Sequence, residues 1–129
     1  MALGACSYQP MSLPDEADIV GRYTLKSKMI PKSKVVETLV IYPDHTFYQE
    51  RLSDDGVNTN TGSWIYSAGA GRLFLQHLLR WEEEDWRTGS SARTTFELDF
   101  SAPLSRPGGR TEITLNDDIG LRFVQQKHL

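Results

Sequence analysis

The chain of 129 residues has a single cysteine, Cys6, and only three histidines, which stand far apart at positions 45, 77 and 128. One cysteine cannot form an internal disulfide, and dispersed histidines lack the paired spacing of zinc ligands. We therefore expect no structural metal, and no motif in the chain predicts a cofactor. No apolar run approaches the roughly 20 residues that a transmembrane helix needs, so membrane association would require a covalent anchor or a partner.

An excess of charge of one sign is also missing. With 14 lysines and arginines against 17 aspartates and glutamates, the net charge is -3, and the basic residues are scattered rather than clustered. Such a chain lacks the positive surface that nucleic acids require, so we expect no nucleic-acid partner. The length fits one domain, which on folding buries roughly two-thirds of the surface of the unfolded chain.

Short alternations of apolar and polar residues follow one another from residue 18 onward, and turn residues separate them. This period of two is typical of half-buried strands. The run 73–86 also fits a helical period, but we favour a strand at its start. The polar residues 53–60 and the proline-containing residues 101–109 predict loops. Eight strands are predicted, at about residues 19–26, 35–42, 46–52, 62–66, 73–79, 95–100, 113–115 and 121–123.

Consecutive hairpins without long helices favour an all-β domain with an antiparallel up-and-down sheet. Eight strands are enough to close such a sheet into a barrel, which removes exposed strand edges. Residues 18–129 are predicted to form this domain. Residues 7–17 contain two prolines and no apolar period, so we interpret residues 1–17 as a flexible N-terminal tether.

Three motifs in the first half give the chain a family resemblance. Gly-Arg-Tyr stands at residues 21–23, LVIYPDHTF at 39–47, and TGSW at 61–64, which LFL follows at 73–75. In this order they resemble the small lipocalin-like domains of bacterial envelope lipoproteins, over roughly residues 18–75. The resemblance implies a lipocalin-like barrel. His45 stands where the family has glycine, which suggests either a turn with an ordinary φ or a position with positive φ.

The motifs have structural explanations. The Asp44 carboxylate can accept hydrogen bonds from backbone amides and close its hairpin, and the small residue before each aromatic residue lets strands approach closely. Six large rings leave little room for a guest, so we expect a filled core and a function at the rim loops or the outer face. The six aromatic side chains expected to point into the barrel are Tyr23, Phe47, Trp64, Phe96, Phe100 and Phe123.

No arrangement typical of an enzyme is present in the sequence. The clustered acidic residues fall in predicted turns, where both members of an acid/base pair would be solvated. Cys6 has no neighbouring base, and no nucleophile elbow occurs. SAGAGR at residues 67–72 lacks the lysine of a phosphate-binding loop and is interpreted as a hairpin turn. We therefore expect a protein that is not an enzyme.

The most unusual composition is an acidic run between two tryptophans on a predicted loop at the barrel rim. Its acids and indole rings together could bind a cationic ligand or a protein partner. In the alternative interpretation, which we favour, both rings cover the barrel end and the acids stay in solvent. The spacing of the acids does not match a calcium loop. The run consists of Trp81, Glu82, Glu83, Glu84, Asp85 and Trp86.

Cys6 follows Leu3, Gly4 and Ala5, a tripeptide typical of the site at which bacterial lipoproteins are modified. Met1 and Ala2 do not supply the charged and apolar regions of a signal peptide, so we expect the natural reading frame to extend upstream. The mature chain would begin at Cys6 with acyl chains in the membrane. The residue behind it, a serine, is compatible with outer-membrane sorting. A cytosolic chain with an incidental cysteine is the alternative.

Together these observations predict a non-enzymatic barrel, anchored by lipid on the periplasmic side of a bacterial outer membrane. It would act by protein contacts or by binding a small apolar ligand. The alternative is an inhibitor of a secreted or periplasmic enzyme. Compact bacterial metalloprotease inhibitors share the eight-stranded plan and an extended N-terminal segment, but they usually carry a disulfide. A packed interior would favour a function by protein contacts. An open apolar interior would favour ligand binding, and a rigid N-terminal prong would favour enzyme inhibition.

Overall fold

The computed structural model describes residues 13–27, 35–54, 56–81 and 94–127. They form a closed barrel in which each strand pairs with the next one along the chain and the last strand returns to the first. All pairs are antiparallel. The predicted all-β, eight-stranded up-and-down barrel is therefore confirmed. Its strands are β1 (Gly21–Lys26), β2 (Val36–Ile41), β3 (Thr46–Ser53), β4 (Gly56–Ser67), β5 (Arg72–Trp81), β6 (Thr94–Ser105), β7 (Glu112–Asn116) and β8 (Leu121–Lys127).

The alternating strand directions give the barrel two different ends. One end carries a short helix, α1 (Glu16–Ile19), together with the turns after β2, β4 and β6, and we call it the helix end. The turn after β6 includes a 3-10 turn at Pro107–Gly109. The opposite end carries the connections after β1, β3, β5 and β7, and we call it the loop end. β5, which the acidic run follows in the sequence, ends at the loop end.

Aromatic rings and aliphatic side chains form one hydrophobic cluster in the described part of the interior. Four of the six aromatic residues expected inside are buried in one hydrophobic cluster, namely Tyr23, Phe47, Trp64 and Phe123. Phe100 is half-buried and packs against this cluster. The side chain of Phe96 lies outside the described part. Because strand side chains alternate between the two faces, a period of two in the sequence produces this core.

The hairpin between β2 and β3 explains the histidine at the usual glycine position. Asp44 Oδ1 accepts hydrogen bonds from the Thr46 N–H at 3.1 Å and from the Thr46 hydroxyl at 2.5 Å, as the sequence predicts. These bonds lower the pKa of Asp44, chiefly through the hydroxyl. His45 has a φ of 69°, so of the two turn conformations suggested by the sequence it has the one with positive φ. Its ring stacks on Trp64 with centroids 4.4 Å apart.

Two predicted loops are strands in the structure. Residues 56–60 belong to β4, because Val57 and two alternating threonines favour a pleated strand despite the asparagines between them. Residues 101–105 belong to β6, although this stretch contains Pro103. Leu104 N–H bonds back to Gly71 on the β5 side, so the nitrogen of Pro103 points toward β7. Pairing with β7 begins only at Leu104, so the proline removes no ladder hydrogen bond.

Helix α1 is the other element that the sequence did not predict. Its four residues include Asp18, the position at which the domain was expected to start, and they are too few to produce a helical period. The side chain of Asp18 caps the helix, because its Oδ2 accepts a hydrogen bond from the Asp15 N–H at 2.9 Å. Ile19 is fully buried and joins the core of the barrel.

Candidate functional site

The wall of the barrel has an incomplete join between β4 and β5. The two strands pair from Ser67 and Arg72 as far as Ser63 and Gln76. Beyond that point, within the described residues, the register pairs residues 56–62 of β4 with β3 and residues 78–81 of β5 with β6. We call the gap between these two segments the seam. It lies in the half of the barrel that is near the loop end.

The backbone of His77 is the local cause of the seam. Its φ of 66° lies in the left-handed region, which is uncommon for a residue within a strand. The alternation of side chains fails at this point, since the consecutive residues Leu78 and Leu79 are both buried. The backbone pairing of β5 with β4 therefore ends here, while β5 keeps its register with β6.

Two side-chain amides bridge the seam from inside the barrel. The buried Gln49, on β3, accepts a hydrogen bond from the Leu79 N–H at 2.9 Å and donates one to the Leu79 C=O at 3.0 Å. Asn60, on β4, donates to the His77 C=O at 2.6 Å and to the Gln49 side chain at 2.9 Å. These side chains satisfy the backbone of β5 where a neighbouring strand would otherwise do so.

Behind the seam lie a buried acidic side chain and a buried basic side chain. Glu37 and Arg51 are cross-strand neighbours on β2 and β3, and both side chains are buried. Burial raises the pKa of Glu37 well above its ordinary value, although Arg51 and a hydrogen bond from Gln49 act in the opposite direction. Glu37 Oε1 has no hydrogen-bond donor in the described part of the chain. The loop-end half of the interior therefore contains ionisable side chains beside apolar ones such as Leu25 and Leu79.

The outer wall beside the seam exposes a row of apolar side chains. Val36, Leu52 and Val57 are neighbours across β2, β3 and β4, with exposed fractions of 48%, 41% and 60%. We call them the outer row, and they lie at the loop end. A second exposed pair, Ile65 and Phe74, joins β4 to β5 nearer the helix end. An exposed apolar patch of several side chains is typical of a contact surface.

The helix end is closed by the chain that precedes β1. The Asp18 C=O accepts hydrogen bonds from the Thr111 hydroxyl and from the Gln125 side chain, each at 3.0 Å. The Tyr66 hydroxyl donates to the Pro14 C=O at 2.6 Å. This segment makes three further contacts. The Tyr23 hydroxyl donates a hydrogen bond to the Ile19 C=O, Arg106 forms an ion pair with Asp18, and His45 contacts Glu16 at 2.7 Å. Residues 14–20 are thus fixed across this end.

The structure places the residues of the predicted rim site only in part. Trp81 is the last residue of β5, and its backbone pairs with Thr94 at the loop end. Residues 82–86, which carry the four acids and Trp86, lie outside the described residues, as does the predicted lipidation site Cys6. Among the residues that are described, no group of three or more potential metal ligands occurs.

The polar residues inside the barrel were missed at the sequence level, although a signal was present. Glu37 is in phase with Leu39 and Ile41, and Gln49 and Arg51 are in phase with Phe47. The alternation that places Ile41 and Leu39 inward also places Glu37 inward. The seam has no such local signal, because it depends on where β5 lies relative to β4.

Comparisons with family models, with curated proteins and with solved structures gave no match. The link to lipocalin-like envelope lipoproteins therefore remains a resemblance in motifs and barrel topology. In the described part of the chain, no helix has the length and apolar character needed to cross a membrane.

Proposed function

We propose that this chain is a non-enzymatic β-barrel of the bacterial envelope and that a lipid on Cys6 holds it to the outer membrane. The barrel binds a protein partner at its loop end. The observation that carries the proposal is the content of the barrel. The buried rings of Phe47 and Trp64 pack with aliphatic side chains in one cluster, and three polar side chains, Glu37, Gln49 and Arg51, are buried toward the loop end. Such an interior favours binding on the outside over binding of a small apolar guest.

The position of the N-terminal segment gives the proposed anchor a direction. Leu13 lies against Gly71 in a turn at the helix end, and Cys6 precedes it by seven residues. Seven residues span at most about 25 Å when fully extended. A lipid on Cys6 would therefore keep the helix end near the membrane and leave the loop end facing away from it.

The outer row is the surface that we assign to the partner. Its three apolar side chains lie at the end that would face away from the membrane, and they project from neighbouring strands without a covering element in the described residues. The inhibitor alternative has less support, because the barrel holds residues 14–20 by hydrogen bonds and so does not present them as a prong.

Site-specific photocrosslinking in intact cells tests this function. A photoreactive residue at Val57 should give one discrete protein adduct, whereas the same residue at the exposed Phe74 near the helix end is the control and should give none. Absence of an adduct at Val57, or equal adducts at both positions, would contradict the proposed surface. Mass spectrometry of the N-terminus should find acyl chains on Cys6, and a Cys6→Ser variant should leave the membrane fraction.

A further inference from the structure

We infer that the barrel itself binds an anionic phospholipid surface through one side of its helix end, the side formed by β4, β5 and β6. We call this side the lipid face. Its exposed apolar side chains are Leu13, Ile65 and Phe74, and its exposed basic side chain is Arg110. The inference rests on the proposed function and deepens it, because it names the face that the anchored barrel turns to the membrane.

The apolar part of the lipid face lies beside the turn after β4. Ile65 and Phe74 are directly opposed on β4 and β5, with exposed fractions of 56% and 39%. Ile65 precedes Ser67, the last residue of β4, by two residues, which is about 7 Å along a strand. Leu13 is 52% exposed and lies against Gly71 in the turn itself. Apolar side chains at this height can enter the headgroup layer of a bilayer.

The two turns of the lipid face contain basic residues and no acidic residue. Residues 61–76 include the turn after β4, and residues 100–111 include the turn after β6. Together these two segments have three arginines and neither aspartate nor glutamate. Arg106 is paired with Asp18, whereas Arg110 is exposed. Exposed apolar side chains together with basic ones are typical of surfaces that bind anionic lipids.

Most of the exposed acids at the helix end lie on a different side. Asp44 is exposed in the turn after β2. The exposed Glu16 of α1 lies toward the same turn, because its carboxylate contacts His45 there at 2.7 Å. An anionic bilayer repels such carboxylates and attracts arginines. The charges therefore favour a barrel that leans toward β4, β5 and β6 over one that stands upright on its helix end.

Asp15 is the exposed acid that lies nearest to the lipid face. The C=O of the preceding residue, Pro14, accepts a hydrogen bond from the Tyr66 hydroxyl of β4. Two arginines oppose this single acid, the exposed Arg110 and the half-buried Arg72, so basic side chains remain in excess on this side.

The chain that leads to the proposed anchor starts from the same side. Leu13 lies against Gly71, and Cys6 precedes Leu13 by seven residues, which reach at most about 25 Å. A lipid on Cys6 would therefore draw the turn after β4 toward the bilayer. This is the turn that the charges also favour, so the point of attachment and the charge distribution select the same face.

A second copy of the chain fits the lipid face less well than a bilayer does. Two copies that met through this face about a twofold axis would bring the same patch together. Both patches carry an excess of basic side chains, so their charges would repel each other. An anionic lipid surface complements these charges and also accepts the apolar side chains.

Vesicle binding by the purified full chain without acyl chains tests the inference independently of the anchor. The probe is a vesicle of equal parts of phosphatidylethanolamine and phosphatidylglycerol, and binding is measured by sedimentation. We expect binding that weakens as salt is added, because salt screens the attraction. Neutral phosphatidylcholine vesicles are the control and should bind at least about fivefold more weakly.

Two arginine variants separate the lipid face from a general effect of charge. Arg110→Gln should weaken binding to the anionic vesicles about fivefold, the effect of one basic side chain near an anionic surface. Arg22→Gln is the matched control, because it makes the same change in net charge. Arg22 is exposed on β1, which lies across the barrel from β5, so its loss should alter binding less than about twofold.

Two apolar variants test insertion in the same assay. Phe74→Ser should weaken vesicle binding about tenfold, because it removes apolar area that the lipid would bury. Val57→Ser, in the outer row at the loop end, is its control and should bind as the wild type does. If Phe74→Ser fails to fold, Ile65→Ser, which changes a more exposed residue, should weaken binding in the same direction.

Methyl NMR in nanodiscs of the same lipids, with a spin label on some headgroups, identifies the face directly. The Ile65 methyl signals should broaden, whereas the Val57 methyl signals should stay sharp. Equal broadening of both residues, or broadening of Val57 alone, would show that another face meets the lipid.

Several other results would overturn the inference. Equal effects of Arg110→Gln and Arg22→Gln would mean that net charge alone drives binding, and absence of binding would exclude a lipid face. Self-association that Ile65→Ser abolishes would assign the patch to a second copy. Acyl chains on Cys6 and an adduct at Val57, without vesicle binding, would leave the proposed function standing and refute the lipid face alone. Vesicle binding at the lipid face by a chain whose Cys6 is unmodified in cells would instead refute the proposed anchor.

Discussion

Replacement of Trp64 by alanine should remove a large part of the stability of the barrel. The side chain is fully buried in the core, its Nε1 donates to the Tyr42 C=O at 3.0 Å, and His45 stacks on its ring. Loss of a buried indole costs about 3–5 kcal/mol. The lost hydrogen bond adds little, because Tyr42 is partly exposed and water can replace the donor. The total free energy of unfolding of a domain of this size is about 5–15 kcal/mol.

Urea denaturation followed by far-UV circular dichroism measures this loss. Trp64→Phe is the matched control, since it keeps an aromatic ring in the core and should cost less than half as much. Ile65→Ala, at the next position of β4, removes an exposed side chain and should change the free energy of unfolding by less than about 1 kcal/mol. Equal unfolding midpoints for wild type and Trp64→Ala would show that the strand register assigned to β4 is wrong.

Three other changes have defined outcomes in the same assay. Gly62→Ala should cost about 3 kcal/mol, because a Cβ would lie 2.2 Å from a backbone oxygen, whereas Gly69→Ala, with nothing within 4 Å, should be neutral; equal effects would contradict the close approach. Because burial raises the pKa of Glu37, the folded state holds more protons above pH 4.5, so stability should fall as pH rises, by up to about 1.4 kcal/mol per pH unit. Glu37→Gln should lack this slope, and identical pH profiles would refute the burial of the acid. Gln49→Ala should cost about 1–3 kcal/mol, because the N–H and C=O of the buried Leu79 lose their partners, and an unchanged midpoint would mean that the seam is bridged in another way.

The strands that alternate clearly could be predicted from the sequence. β1 places Tyr23 and Leu25 inward and Arg22 outward, and the turn at Asp44 contains its own hydrogen-bond acceptor, so both follow from local chemistry. The first half of β4 could not be predicted. Its asparagines face inward and its threonines face outward, so both faces are polar and no apolar period appears.

The candidate site depends on features that arise only in three dimensions. The seam follows from the left-handed backbone of His77, a residue type with no strong preference that would indicate it in advance. The side chain of Gln49 on β3 bridges the seam to Leu79 on β5, which lies 30 residues further along the chain. Neither property is encoded in a short stretch of sequence, whereas the inward direction of Glu37 is encoded in the period of β2.

An NMR titration of the purified protein with anilinonaphthalene sulfonate, an apolar probe, tests most directly whether the barrel is filled and binds on its outside. The account predicts that any shifts are confined to side chains on the outside of the barrel, such as Val36, Leu52 and Val57, and that the ring signals of Phe47 and Trp64 do not move. One-to-one saturable binding that shifts those core rings would contradict it and would indicate a ligand cavity inside the barrel.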